Sequence, residues 1–227
     1  MKINKEIHRK IMFSLLKEIF ENEVGKKLAF KGGTACYFLH NLDRFSTDLD
    51  FDYLGTNKDS ENIDLCIINI AQKYGDIKKG SHNLKLSYGS NDVNIKIDIN
   101  RKIWENNHYE ILNFYGTNIK VQDKKSTFSN KLVALTERNT NRDIYDVYFF
   151  FKNNFPINEK LIQERTGKTK TELFQKITQK LESFPKSYKI LDGLGEVLNE
   201  KQKFFVKEKM LPELIAILQY EIHFAKR

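Results

Sequence analysis

The chain is expected to fold as a mixed α/β (α+β) protein, with a small mixed sheet and flanking helices in its first half and a helical bundle in its second. Two observations predict this. Short runs of period-two alternation are interleaved with helical patterns up to about residue 124, and from Ser126 onward helical patterns follow one another with few strand signals. The expected division is an α/β core over residues 1–124 and a helical domain over residues 125–227.

The elements follow in order. Residues 5–23 have helical periodicity, with Ile7, Ile11, Leu15, Leu16, Ile19 and Phe20 on one face. Lys27–Phe30 is a short extended run leading to two glycines, and Ala35–Asn41 reads as a helix with Thr34 near its start. Asp48–Tyr53 alternates acid and apolar residues, which means a strand with its acids on one face and Leu49, Phe51 and Tyr53 on the other. Residues 60–74 read as a helix. Leu84–Tyr88 and Val93–Asn100 read as strands joined by the turn Gly89-Ser90-Asn91-Asp92, and residues 110–121 as a hairpin turning at Gly116-Thr117-Asn118. Helical patterns then cover roughly 127–138, 142–152, 158–165, 170–183 and 187–222.

Composition narrows the function classes. The 227 residues are 40% hydrophobic and 30% charged, which excludes a disordered chain. No run approaches the roughly 20 apolar residues of a membrane span, so no membrane association is expected. Two cysteines, Cys36 and Cys66, without metal-type spacing point to a reducing compartment and a cytoplasmic protein; both lie in apolar stretches and read as core. The five histidines are scattered, with no ligand spacing. A net charge of +8 favours a polyanionic partner.

The chemistry concentrates in two places. Asp48 and Asp50 aim two carboxylates at one point, an arrangement suited to oxygen-preferring Mg²⁺ or Mn²⁺. By itself the pattern reads as an edge strand with a solvated acidic face. Upstream, Phe30-Lys31-Gly32-Gly33-Thr34-Ala35 combines a strand end, two glycines, a hydroxyl and a helix start. Glycine lets backbone approach closely, and a helix N-terminus offers free N–H groups to phosphate. Together the two describe a site for a metal-bound nucleoside triphosphate (NTP). In Ile95-Lys96-Ile97-Asp98-Ile99-Asn100 the polar Lys96 and Asp98 share a face.

The order glycine-glycine-hydroxyl, about a dozen residues, then Asp48-Leu49-Asp50 resembles the polymerase-beta-type nucleotidyltransferase motif. That resemblance implies a third acid on a neighbouring strand, for which Asp98 is the best candidate and Asp92, in a turn, a weaker one. The longer string from Lys31-Gly32-Gly33-Thr34-Ala35 to Arg44-Phe45-Ser46-Thr47-Asp48-Leu49-Asp50-Phe51 resembles the AbiEii/AbiGii group of nucleotidyltransferase toxins, relatives of the MenT toxins. A second block strengthens it: Lys131 and Arg138, then Arg142-Asp143-Ile144-Tyr145-Asp146, match the group's helical lysine, arginine and R-D-x-x-D element. The resemblance spans about residues 28–150; the last third of the chain matches only in being helical. Where the superfamily often has serine after the glycine, this chain has Gly33 and then Thr34.

The resemblance implies a nucleotidyltransferase-type core, a helical domain that completes the nucleotide cleft, and transfer of a nucleotide monophosphate from an NTP with release of pyrophosphate. Asp48, Asp50 and Asp98 would hold Mg²⁺ or Mn²⁺. Gly32, Gly33, Thr34, Arg44, Ser46, Lys131, Arg138, Arg142 and Asp143 would bind the nucleotide, and Lys131 and Asp146 join the catalytic set. On the residues alone, Lys131 supplies charge to the triphosphate, Asp143 or Asp146 orients it or acts as a base, and the alternative for all of them is surface ion pairing. The implied acceptor is RNA, especially the 3′ end of tRNA, and the implied partner a cognate antitoxin of a toxin–antitoxin or abortive-infection pair. The alternatives are transfer to a protein or small molecule, or a non-catalytic module that binds nucleotide or a partner.

Overall fold

The computed structural model describes residues 4–56, 60–81, 83–89 and 94–224. His82 and the turn residues Ser90, Asn91 and Asp92 lie outside the described residues, as does Val93. The chain forms two compact units. The first comprises residues 1–103 and 108–122, and the second residues 104–107 and 123–227.

The first unit is built on a seven-stranded mixed sheet. Its strands are β1 (Leu28–Lys31), β2 (Asp48–Tyr53), β3 (Asp76–Lys79), β4 (Asn83–Ser87), β5 (Asn94–Asn100), β6 (Tyr109–Phe114) and β7 (Thr117–Gln122), in the spatial order β3-β4-β5-β2-β1-β7-β6. β2 has three strands on either side, so the acidic strand is central and the edge-strand alternative does not hold. It runs parallel to β5 and antiparallel to β1. The short polar β3, Asp-Ile-Lys-Lys, has too little alternation to be read from sequence; it forms because β4 offers it an open edge.

One sheet face is apolar. Leu49, Phe51, Leu86, Ile95, Ile97, Ile119 and Val121 are buried there. Among the described residues the α-helices of this unit are α1 (Lys5–Glu21), α2 (Gly32–Leu39) and α3 (Ser60–Ala71). Asn4 caps α1, its side chain accepting from the N–H groups of Glu6 and Ile7. The buried face of α1 is His8, Met12, Leu15, Leu16 and Ile19, whereas Ile7 is half exposed. The expected stripe holds at Leu15, Leu16 and Ile19 and shifts by one position at its start, to His8 and Met12, because a histidine with hydrogen-bond partners takes a core place. In α3 the core face is Ile63, Ile67 and Ile70, at helical spacing, and this leaves Cys66 exposed rather than in the core. Cys36 is buried as expected.

The second unit is helical: α4 (Lys124–Glu137), α5 (Asn141–Lys152), α6 (Glu159–Thr166), α7 (Lys170–Glu182), α8 (Glu200–Phe205) and α9 (Leu211–Phe224). Phe128, Leu132, Val147, Phe150, Phe174, Ile177 and Leu214 form its core. Thr169 and Glu172 make a capping box at the start of α7. The long helix expected over 187–222 is interrupted. Asp192-Gly193 turns with Gly193 at φ +67°, Gly195–Val197 is a 3-10 turn, and Asn199 caps a new helix. A π-helical turn, Val206–Met210, joins α8 to α9. Trp104–Asn107, expected in the first half, belongs to this unit: Glu164 accepts from the backbone N–H groups of Glu105 and Asn106. Among the described residues no helix is long and apolar enough to cross a membrane.

Candidate active site

The sheet's other face is polar, and its centre is acidic. Parallel pairing sets Asp48 beside Lys96 and Asp50 beside Asp98, so three carboxylates and one ammonium share the middle of that face. Lys96 Nζ lies 2.9 Å from Asp98 Oδ2. That hydrogen bond, with the nearby charges of Asp50 and Asp48, holds the Lys96 amine above its ordinary pKa against the effect of burial. Lys96 is thus the cation that answers the acidic cluster.

The third acid of the strand, Asp52, is fully buried on the same face. Lys31 Nζ is 2.5 Å and Asn100 Nδ2 2.8 Å from its Oδ1, and the Tyr109 hydroxyl donates to Oδ2 at 3.0 Å. Gln122 completes the set. Asp52 is a satisfied anchor beneath the site and Lys31 is committed to it. Sequence could have found this pair only through the register, which sets Lys31 opposite Asp50 and so on the face of the acids.

Next to the acids is the glycine turn. α2 begins at Gly32, earlier than expected, so the paired glycines are themselves its first residues. Gly32 has φ +77°, and any side chain there would run into the Asp50 carboxylate. A Cβ on Gly33 would come within 2.8 Å of Arg44 Nη2 and 3.0 Å of Ser46 Oγ. Gly32 is therefore required by its backbone conformation, and Gly33 sits in close approach to Arg44 and Ser46. Thr34 is fully buried; its hydroxyl donates to the Asp48 backbone carbonyl and is 2.8 Å from Ser46 Oγ. The hydroxyl expected to face phosphate is directed inward, because it ties the turn to the start of β2. Arg44 is buried too, donating to the Phe45 carbonyl at 3.1 Å, so Arg44 and Ser46 shape the turn from behind.

His8, which the sequence left among scattered histidines, supports the same strand. It is fully buried, with Nε2 2.9 Å from the Thr47 carbonyl and Nδ1 against the Tyr88 hydroxyl. Burial lowers its pKa, more than the Thr47 hydrogen bond and the Asp48 charge raise it. A neutral ring donating from Nε2 and accepting at Nδ1 satisfies both contacts.

The second block forms a cluster within the helical unit. Lys131 on α4 places its ammonium 2.8 Å from both Asp143 Oδ1 and Asp146 Oδ2 on α5, and neither carboxylate is exposed. Arg138 grips Asp143 with Nε at 2.7 Å and Nη2 at 3.2 Å, while its side chain remains 60% exposed. Burial pushes the Asp143 carboxyl up, but Lys131 and Arg138 outweigh it and hold the group below the usual aspartate value. Surface pairing does not describe Lys131, which is inserted between two buried acids. Arg142 donates from Nε to the Gly193 carbonyl at 2.8 Å, a bond within its own unit. Trp104 is covered by the Arg165 guanidinium, 5.7 Å from the ring centre.

The oxygen donors Asp48, Asp50 and Asp98 suit a hard divalent cation in kind. Among the described residues no group of three or more acidic, histidine or cysteine side chains is placed to hold a metal ion, and the Lys96 ammonium is paired with Asp98.

The family model described as nucleotidyl transferase AbiEii toxin, type IV toxin–antitoxin system, matches residues 14–216. Among solved structures, a Helicobacter pylori protein described as a candidate nucleotidyltransferase is 21% identical with a TM-score of 0.60, covering 100% of this chain and 98% of its own. The JHP933 protein of Helicobacter pylori is 18% identical with a TM-score of 0.54 over the same shares. Both show the fold. No curated protein matches. With nine-tenths of its length matched, and with the acidic pair, the glycine turn and the lysine–aspartate cluster formed, this chain belongs to the AbiEii nucleotidyltransferase toxins of type IV toxin–antitoxin systems.

Proposed function

We propose that this nucleotidyltransferase is metal-dependent and transfers a nucleotide monophosphate from an NTP to RNA, with the 3′ end of tRNA as the favoured acceptor. The observation that carries the reading is the pairing of Asp48, Asp50 and Asp98 on the central strands beside the Gly32–Gly33 turn. Mg²⁺ or Mn²⁺ held by these three carboxylates would lower the pKa of the attacking hydroxyl and offset charge on the leaving group.

The chain's own groups do the rest. The N–H groups at the start of α2, opened by two glycines, receive the β and γ phosphates. Thr34, Ser46, Arg44 and His8 hold the turn and the start of β2 in place. The acceptor oxygen bonds to the α-phosphorus as the α–β anhydride bond breaks, the hydroxyl loses its proton, and pyrophosphate leaves. Lys131, held by Asp143 and Asp146, is assigned to phosphate charge on the nucleotide, with Arg138 and Arg142 as supporting cations. A cognate antitoxin is the expected partner, and the cytoplasm, with its NTP and RNA, the place of action.

The test is a transfer assay. Protein and Mg²⁺ are mixed with each α-labelled NTP in turn and with total bacterial RNA, alongside the Asp48→Ala/Asp50→Ala variant. Label in a tRNA-sized band, lost in the variant and on chelation, is the expected result. No label in RNA with any nucleotide, while the protein still binds triphosphate, would replace RNA by a protein or small-molecule acceptor.

A further inference from the structure

We infer that Lys78, Lys85 and Lys96 form a track for the phosphodiester backbone of a single-stranded nucleic acid, leading its 3′ end to the acids. The inference rests on the reading above and names the surface that serves it.

The register makes the row. Lys78 on β3 is opposite Lys85 on β4, Lys85 is opposite Lys96 on β5, and Lys96 is opposite Asp48 on β2. Directly paired residues project from the same face, so the three lysines line up across three adjacent strands on the face of the acids. By strand spacing the row runs about 10 Å from Lys78 to Lys96.

Like charges directly opposite one another disfavour a sheet. Other lysines nearby are answered: Lys73 by Glu18, Lys79 by Asp64, Lys96 by Asp98. Lys78 and Lys85 are exposed and have no carboxylate partner among the described residues. A row of repelling cations that ends at a catalytic acid is relieved by a bound polyanion.

The direction of attack selects which polyanion. In an in-line displacement the attacking oxygen and the leaving pyrophosphate lie on opposite sides of the α-phosphorus. The Gly32–Gly33 turn follows β1, on one flank of β2; the lysine row lies on β5, β4 and β3, on the other. With the leaving phosphates at the turn, the attacking group enters from the lysine side. A strand that carries phosphates behind its terminal hydroxyl fits such an entrance, and it is favoured over an acidic protein because the row ends at the reacting centre.

The test uses the full chain and a fluorescently labelled single-stranded oligoribonucleotide with a free 3′ hydroxyl. Affinity is measured by anisotropy over a salt series for the wild type, Lys78→Gln/Lys85→Gln and Lys78→Glu/Lys85→Glu. Losing two phosphate contacts makes the slope of log affinity against log salt shallower by about 1.4, at about 0.7 per contact for single strands. The charge reversal is expected to weaken binding further, with unchanged circular dichroism. An unchanged slope in both variants overturns the track. Displacement of the RNA by polyglutamate at equal charge concentration also overturns it, in favour of an acidic protein. The two readings fail separately. RNA that is labelled while the slope stays unchanged removes only the track. RNA that is never labelled, although the slope falls, removes only the acceptor assignment.

Discussion

Replacing Lys131 by Met tests the energetics of the helical unit's cluster. In the wild type one ammonium lies 2.8 Å from both Asp143 and Asp146, and both carboxylates are fully buried. Removing it leaves two buried acids without that cation at neutral pH, which costs about 3–5 kcal/mol. Arg138 still contacts Asp143, but it is largely exposed, so screening limits what it restores. The pH dependence gives the sharper signature. Asp143 has a depressed folded pKa in the wild type, so its contribution is present above the unfolded value and lost as pH falls through the folded one. Without Lys131, burial dominates and raises the carboxyl pKa, and protonation then relieves the variant as pH falls. The gap between the two proteins should be wide at pH 7 and shrink by at least half near pH 4.5. The single tryptophan, Trp104, belongs to this unit, so its fluorescence in a urea titration reports the transition directly. A gap that stays the same at both pH values would refute the assignment of the cost to uncompensated carboxylates.

Two further substitutions separate shape from contact at the turn. Gly32→Ala forces a left-handed backbone position and drives a methyl group into the Asp50 carboxylate. It should cost about 1–3 kcal/mol and abolish pyrophosphate release, whereas unchanged turnover would remove Gly32 from the site. Thr34→Val leaves the Asp48 carbonyl and Ser46 without their partner and should cost about 1–3 kcal/mol, with little change in KM for NTP. A tenfold rise in KM at unchanged urea midpoint would show instead that the hydroxyl meets the triphosphate.

Local periodicity made a good part of the fold legible. Alternation put Asp48, Asp50 and Asp52 on one face of a strand, and the helical run after Ser126 announced a second unit of different character. It failed where local signals were weak or competing. The four-residue β3 has one apolar side chain, and a continuous helical pattern over 187–222 concealed the break at Asp192-Gly193. His8 took a core position that an isoleucine was expected to fill, because Thr47 and Tyr88 satisfy both ring nitrogens.

By itself the sequence determined the residue types and which of them share a face, since relative side-chain direction in a strand or helix depends only on spacing along the chain. Tertiary structure decided which of them meet. Sheet order made β2 central and set Asp98 beside Asp50, 48 positions away in sequence, with Lys96 at the end of the lysine row beside Asp48. It buried Asp52 among Lys31, Asn100 and Tyr109, turned the Thr34 hydroxyl inward, and drove Lys131 between two aspartates of the next helix. These outcomes depend on long-range register and on the cost of leaving a buried charge unpaired, neither of which is written in any local pattern.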